Sequence, residues 1–411
     1  MTDLSQTGRA GHLAGDPAIR AGEPSRPGRA GLPAARWPLV VAIAFAATAL
    51  TVLVLIENQK LLGLALAAIA ALCLAAARFG GVAATEAAAS DHPWLLRGLI
   101  AAATLAVLFV LRDDNFGLLM LATVLIYATV CVGLTIQMGY AGLTNFAAAA
   151  FVGTGGYTAA MLGQTGGLPD PVVLIAGGLV AVAIGSLLVL PVLRTRGHYA
   201  ALTTLAFGVM FNVFLEANEL LGGPQGLKIP GINLFGWDFS EDLHIAGFTI
   251  SFYANYVLLT GALAALAMLL AGLIDRSWIG IWFDAVRLDE TAASVFGLKI
   301  GRWKILAFTL GNFLAGVMGA VYAKMTGFIA PSNFTFADSL VMVSIVILGG
   351  IGNRWGVLPA ALIVVLLPEK LQFIQEYRLL LYALLVIVIL IARPGGLVAR
   401  RVRKLRLEAR S

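Results

Sequence analysis

Twelve uninterrupted apolar runs set the terms for this chain. They occupy about 38–56, 61–77, 95–111, 116–138, 145–163, 172–193, 199–220, 252–274, 305–323, 338–350, 356–368 and 379–392. None carries a charge near its middle. A bilayer offers no water to the backbone, so a segment that enters it must pair its own polar groups, and a helix does so within one segment. A barrel strand would alternate apolar and polar residues, whereas these runs are apolar on every side. Only 12% of the 411 residues are charged and 60% are hydrophobic, against roughly a quarter charged in a soluble domain. The expected fold class is an all-α polytopic membrane protein, a helical bundle of about 10 to 12 transmembrane segments at roughly 20 residues each.

Two runs are short. Residues 338–350 and 356–368 number 13 each, about 20 Å of helix against a hydrocarbon core of about 30 Å. They form either a re-entrant hairpin or tilted spans extended at their ends. Gly349, Gly350, Gly352 and Gly356 supply a tight turn between them.

Basic clusters orient the chain. Seven Lys or Arg residues follow position 392. Arg194 with Arg196, and the loop 275–304 with Arg276, Arg287, Lys299, Arg302 and Lys304, mark further cytoplasmic turns. Asp113–Asp114 and the loop 222–251, with Asp238, Glu241 and Asp242, suit the outside. Twelve crossings satisfy every cluster and place both termini in the cytoplasm. The expected layout is a disordered cytoplasmic segment (1–36), N-terminal transmembrane helices (37–112), a core (113–393) with its cytoplasmic loop (275–304), and a basic cytoplasmic tail (394–411). Residues 1–36 lack the layout of a signal peptide, because the first apolar run begins only near Trp37. The net charge of +6 sits where a membrane protein needs it and implies no nucleic acid.

Polar residues in apolar runs are candidate functional groups. Asn212, Glu216 and Glu219 fall at i, i+4 and i+7, one stripe near the outer end of their helix. They form either an interfacial hydrogen-bonded cluster or the mouth of a substrate path. Asn145 and Asn312 are further candidates for lining a path. Gly311, Ala315, Gly319 and Ala323 recur on one helix face, which allows close packing in lipid. Cys73 and Cys131 read as buried small hydrophobes. The four histidines are scattered, and no metal or catalytic constellation appears. Residues Asp284 to Gly297 can form a short helix on the cytoplasmic side, with acids early and a glycine to end it. No phosphate-binding G-x-x-x-x-G-K-[ST] loop occurs, so ATP, if it drives the process, is bound elsewhere.

Ordered blocks from Gly139 to Leu397 carry a family resemblance. They include Gly139-Tyr-Ala-Gly142-Leu, Leu202-Thr-Thr-Leu-Ala-Phe-Gly208, Gly222-Gly-Pro-Gln-Gly226, Arg287-Leu-Asp289-Glu290, Leu348-Gly-Gly-Ile-Gly352 and Arg393-Pro-Gly-Gly-Leu397. In these blocks the chain resembles the LivM-type permeases of branched-chain amino acid ABC importers. The resemblance implies a transporter subunit rather than an enzyme. It implies a LivH-like second permease, two cytoplasmic ATPases that hold ATP and Mg, and a periplasmic binding protein, in the inner membrane among its lipids. It also implies that residues 287–297 couple to an ATPase, through Arg287, Asp289, Glu290, Ala292, Ala293 and Gly297. The spacing from Glu290 to Gly297 is one residue longer than the E-A-A-x-x-x-G common in importer permeases, and Leu221-Gly222-Gly223 stands where the family shows T-G-G. The nearest rival is the same machine for urea, short amides or another amino acid. An ion-coupled secondary transporter would favour a midplane charge, and none is evident in the runs.

Overall fold

A computed structural model of the chain describes residues 37–56, 58–78, 93–112, 114–194, 198–234, 236–245 and 248–370. It also describes ten positions between 377 and 398. The expected cytoplasmic segment 1–36 and most of the tail lie outside the described residues. The chain divides into two units, one of residues 1–46 and 70–103 and one of 47–69 and 104–411. In the first, the described residues are helical.

Eleven helices coincide with the first eleven apolar runs. They are α1 (Trp37–Leu55), α2 (Gln59–Arg78), α3 (Pro93–Val110), α4 (Asn115–Leu134), α5 (Ala148–Thr165), α6 (Asp170–Arg194), α7 (His198–Ala217) and α8 (Tyr253–Arg276). After the short helices α9 (Trp278–Leu288) and α10 (Glu290–Val295) come α11 (Ile300–Thr326), α12 (Phe336–Gly349) and α13 (Arg354–Lys370). Run 379–392 falls largely outside the described residues. Among the described residues, seven helical segments are long and apolar enough to cross a membrane.

Residue size is distributed as lipid demands. On α8 the small residues Ala264, Ala267 and Ala271 face inward, while Leu266, Leu269 and Leu273 are exposed. Water would penalise such a leucine face at about 25 cal/mol per Å²; hydrocarbon does not. The close contacts are made by backbones instead. A Cβ on Gly155 or Gly319 would overlap the carbonyl of Gly316 or Val152 respectively, so α5 and α11 touch main chain to main chain. Gly177 and Gly178 bring α6 onto α11 as well: a Cβ on Gly316 would overlap Gly177 O and Gly178 Cα, and one on Gly178 would strike the side chains of Phe313 and Val317.

The described loops of the second unit sort into two ends. At one end six short strands form three antiparallel pairs: β1 (227–228) with β6 (328–329), β2 (233–234) with β3 (237–238), and β4 (243–245) with β5 (248–250). Arg112 joins this end by accepting from Ser251 N at 3.2 Å. Lys370, at the end of α13, donates to Val54 O and lies 5.3 Å from the ring centroid of Phe116. We call this the strand end. At the other, the turn 350–353 meets Gly139, Arg354 pairs with Asp275 at 3.6 Å, and Leu397 N donates to Leu348 O at 2.8 Å. This is the α9–α10 end.

These contacts decide between the two layouts of the short runs. α12 begins beside β6 and finishes in the turn that meets Gly139, while α13 returns to Val54. Both therefore run from end to end and are not a re-entrant hairpin. A helical stretch over Pro331–Gly349 and the 17 residues of α13 supply the missing length. Gly349 and Gly356 abut so closely that a Cβ on either would strike the other's backbone. Pieces of the segment expected to precede the core, 47–69 and 104–112, belong to the same unit as the core.

A candidate polar joint in the path and an exposed coupling ridge

Run 116–138 does not end cleanly. After Leu134 the helix widens into a π-helical turn over Thr135–Tyr140, and an irregular stretch, 142–147, precedes α5. π turns are uncommon and gather at functional sites. Broken helices inside a bundle leave backbone donors that must find partners. Here Ala147 N donates to Asn145 Oδ1 at 2.9 Å, Phe146 N to Thr204 Oγ1 at 3.1 Å, and Ala149 N to Ser339 Oγ at 3.0 Å. Side chains of α7 and α12 thus cap a helix that starts inside the protein.

Two of the four path candidates meet at this break. Asn145 donates to Gln137 Oε1 at 2.8 Å. Gln137 Nε2 donates to Asn312 Oδ1 at 3.0 Å and to Phe308 O at 3.1 Å. All three amides are buried, each about 1% exposed. Glycine makes room for them: a Cβ on Gly311 would overlap Gln137 Nε2, and one on Gly185 would overlap Asn312 Nδ2. Asn312 Nδ2 itself has no hydrogen-bond partner among the described residues. Leaving a buried donor unpaired costs about 1–3 kcal/mol. Beside it Phe151 stacks on Phe207 at 5.6 Å and meets Phe308 edge-on at 5.7 Å.

The other two candidates lie elsewhere. Asn212 donates to Pro331 O at 2.8 Å and so ties α7 to the segment before α12. Glu216 is exposed. The expected stripe stops short, because α7 ends at Ala217, Asn218 caps a 3-10 turn through its contact with Leu220 N, and Glu219 follows the new axis.

Sequence reasoning passed over a buried ion pair at the strand end. Lys324 Nζ lies 2.6 Å from Asp170 Oδ1, with their side chains 1% and 14% exposed. Asn233 N donates to the other carboxylate oxygen. Tyr256 OH donates to Lys324 O at 3.1 Å and accepts from Ile232 N. The group fastens α6, α8, α11 and the β2 loop to one another. A shallow cavity of about 350 Å³ opens next to it, lined by Leu168, Pro169, Asp170, Pro171, Asn233 and Gly236.

At the α9–α10 end the expected single short helix is two. Asp289 adopts extended backbone (φ −156°, ψ 107°), which breaks the helix, and its carboxylate caps α10 by accepting from Thr291 N and Ala292 N at 2.8 and 3.0 Å. Gly297 closes the unit at φ +82°, a conformation that glycine adopts without penalty. Glu290 pairs with Lys304 at 2.6 Å, which fixes α10 against the start of α11. Arg287 lies 3.6 Å from Asp284 and covers Gly142. Ala293 is buried and Ala292 exposed. The six predicted coupling residues thus build and hold the turn. Its outer surface is made by residues that the sequence did not single out: Leu288, Val295 and Phe296 are 74%, 81% and 86% exposed.

Such a bundle, with a broken helix inside it and an apolar ridge on one end, is that of an all-α polytopic membrane protein. The chain belongs to the family of branched-chain amino acid transport system permease components, which it matches over residues 116–390. It is 35% identical over 299 residues to the high-affinity branched-chain amino acid transport system permease protein LivM of Salmonella typhimurium, covering 69% of this chain and 70% of that one. The LivM protein of Escherichia coli is likewise 35% identical, over 298 residues. The Escherichia coli permease protein LivH is 24% identical over 292 residues, or 67% of this chain and 91% of that one. No solved structure matches the chain.

Proposed function

We propose that this chain is the LivM-type permease subunit of an ATP-driven importer of branched-chain amino acids. It pairs with a LivH-like permease in the bacterial inner membrane, with both termini in the cytoplasm. A periplasmic binding protein brings leucine, isoleucine or valine to the strand end. Two ATPase subunits, which hold ATP and Mg, dock at the α9–α10 end. The similarity to LivM proteins over two thirds of the chain carries the choice of cargo. The exposed ridge supports the partner, since an apolar patch held on a rigid turn marks a protein interface.

The layout supports a division of labour. The ridge is tied to α11 through Glu290–Lys304, and α11 carries Asn312 and Lys324 along one continuous helix. A push on the ridge is therefore delivered to the amide joint and to the ion pair at the far end. Asn145 and Asn312 line the path at the joint; Asn212 and Glu216 belong to its outer part. Purification of the tagged chain from a native membrane tests the assembly. The expected result is co-purified ATPase whose hydrolysis rises when leucine-loaded binding protein is added. Purification free of any ATPase from a membrane that expresses it would contradict the proposal.

A further inference from the structure

Three buried amides in a membrane bundle have an ordinary explanation as glue between helices. Glue, however, is satisfied. Gln137 and Asn145 use their donors, while Asn312 keeps a buried Nδ2 with no acceptor among the described residues, at the point where α11 meets Gly185 of α6 and Phe151 of α5. Natural structures tolerate few such atoms, and each asks for a reason. The surroundings have two chemical characters. On one side are neutral amides and the Phe308 carbonyl; on the other are the rings of Phe151, Phe207 and Phe308. Among the described residues, the side chains that bond or stack in the joint are all neutral.

We propose that this amide–phenylalanine cluster is where the path recognises its cargo, with Asn312 Nδ2 donating to the carboxylate of an aliphatic amino acid and the three rings receiving its side chain. The assignment rests on the function proposed above and deepens it. An α-amino acid crosses as a zwitterion, so its own charges compensate and neutral dipoles suffice to hold it. Gln137 Oε1 accepts one bond, from Asn145, and retains a second lone pair for the ammonium group; the Phe308 carbonyl lies within α11 and already serves that helix and Gln137 Nε2. The cluster as seen here is closed. Gly185 and Gly311 fit so tightly against the amides that cargo enters only when α6 or the π turn moves off α11. Such packing favours two discrete arrangements over a gradual one. A donor held without a partner in the closed state weakens that state relative to one in which cargo is bound.

The test uses the full assembly of both permeases, both ATPases and leucine-loaded binding protein in proteoliposomes. Asn312→Leu keeps the side-chain size and removes both the donor and the acceptor used by Gln137 Nε2; Asn312→Ser restores a group that can donate and accept. For Asn312→Leu the expected result is leucine uptake reduced about tenfold or more, as for a lost hydrogen bond to a charged group. ATP hydrolysis should remain near wild type. Asn312→Ser should recover a substantial part of the uptake. Uptake by Asn312→Leu at the wild-type rate would overturn the assignment. So would equal loss of uptake and hydrolysis in both variants, which marks a packing role. Wild-type uptake is the reference in the same vesicles. Its absence would show failure of the proposed function and would take the cargo site with it, whereas a failed site leaves wild-type uptake intact.

Discussion

Replacing Lys324 with methionine removes one half of a charge pair and leaves the other half in place. Asp170 keeps its contact with Asn233 N but loses the ammonium 2.6 Å away, in a spot where its side chain is 14% exposed. Water makes up only part of the loss. Breaking a buried pair from one side costs about 3–5 kcal/mol, most of it the penalty of the stranded charge rather than the worth of the pair. The partial exposure of Asp170 places the expected loss for Lys324→Met at the lower end, about 3 kcal/mol. In Lys324→Met/Asp170→Asn the stranded charge is gone, while an acceptor for Asn233 N remains. The double variant should lie within about 1 kcal/mol of wild type, because well-packed neutral replacements of buried pairs are often nearly neutral. The assay is reversible unfolding by denaturing detergent in mixed micelles, run on wild type, both single variants and the double. A Lys324→Met loss under about 1 kcal/mol, the range of a solvated surface pair, would refute the reasoning. So would a double variant as unstable as the single.

Other outcomes follow from the same structure. Gly155→Ala should lower stability by about 1–3 kcal/mol, the range for overpacking, because its Cβ meets the rigid Gly316 carbonyl; a thermal melt unchanged from wild type would show that α5 and α11 can part freely. Phe296→Asp should leave the protein inserted and folded but abolish stimulation of ATP hydrolysis by loaded binding protein, since Phe296 is 86% exposed and holds nothing in the chain together. Normal stimulation would remove the ridge from the interface. Cys131→Ala should change transport little and stability by about 1 kcal/mol: the thiol is fully buried and makes one weak contact, 3.4 Å to Met342 O. Loss of transport at normal expression would contradict that. The side chain of Cys73, the other cysteine expected to be a buried small hydrophobe, lies outside those described.

The fold was legible because lipid leaves few choices. A run of apolar residues in a membrane is a helix wherever it occurs, and eleven of the runs are helices here. Length alone could not place runs 338–350 and 356–368, since their extra turns are built from Pro331–Asn333 and from Arg354, residues that are not apolar runs in themselves. Asn145 and Asn312 stood out as rare amides among apolar neighbours. Gln137 did not, because it sits at the end of run 116–138, where a polar residue is ordinary; the π turn that draws it inward leaves no mark in composition. Lys324 and Asp170 escaped for the same reason. Each borders a run, and 154 residues separate them, so their pairing is a fact of packing alone. The ridge was hidden differently. Leu288, Val295 and Phe296 are apolar residues in an apolar protein, and only exposure distinguishes them.

Uptake of labelled leucine by proteoliposomes containing this chain, a LivH-like permease, both ATPases and the binding protein tests the central claim most directly. Uptake should require ATP on the side of the ATPases, be competed by isoleucine and valine, and persist when ionophores collapse every ion gradient. Uptake that proceeds without ATP and follows an imposed ion gradient would contradict the account.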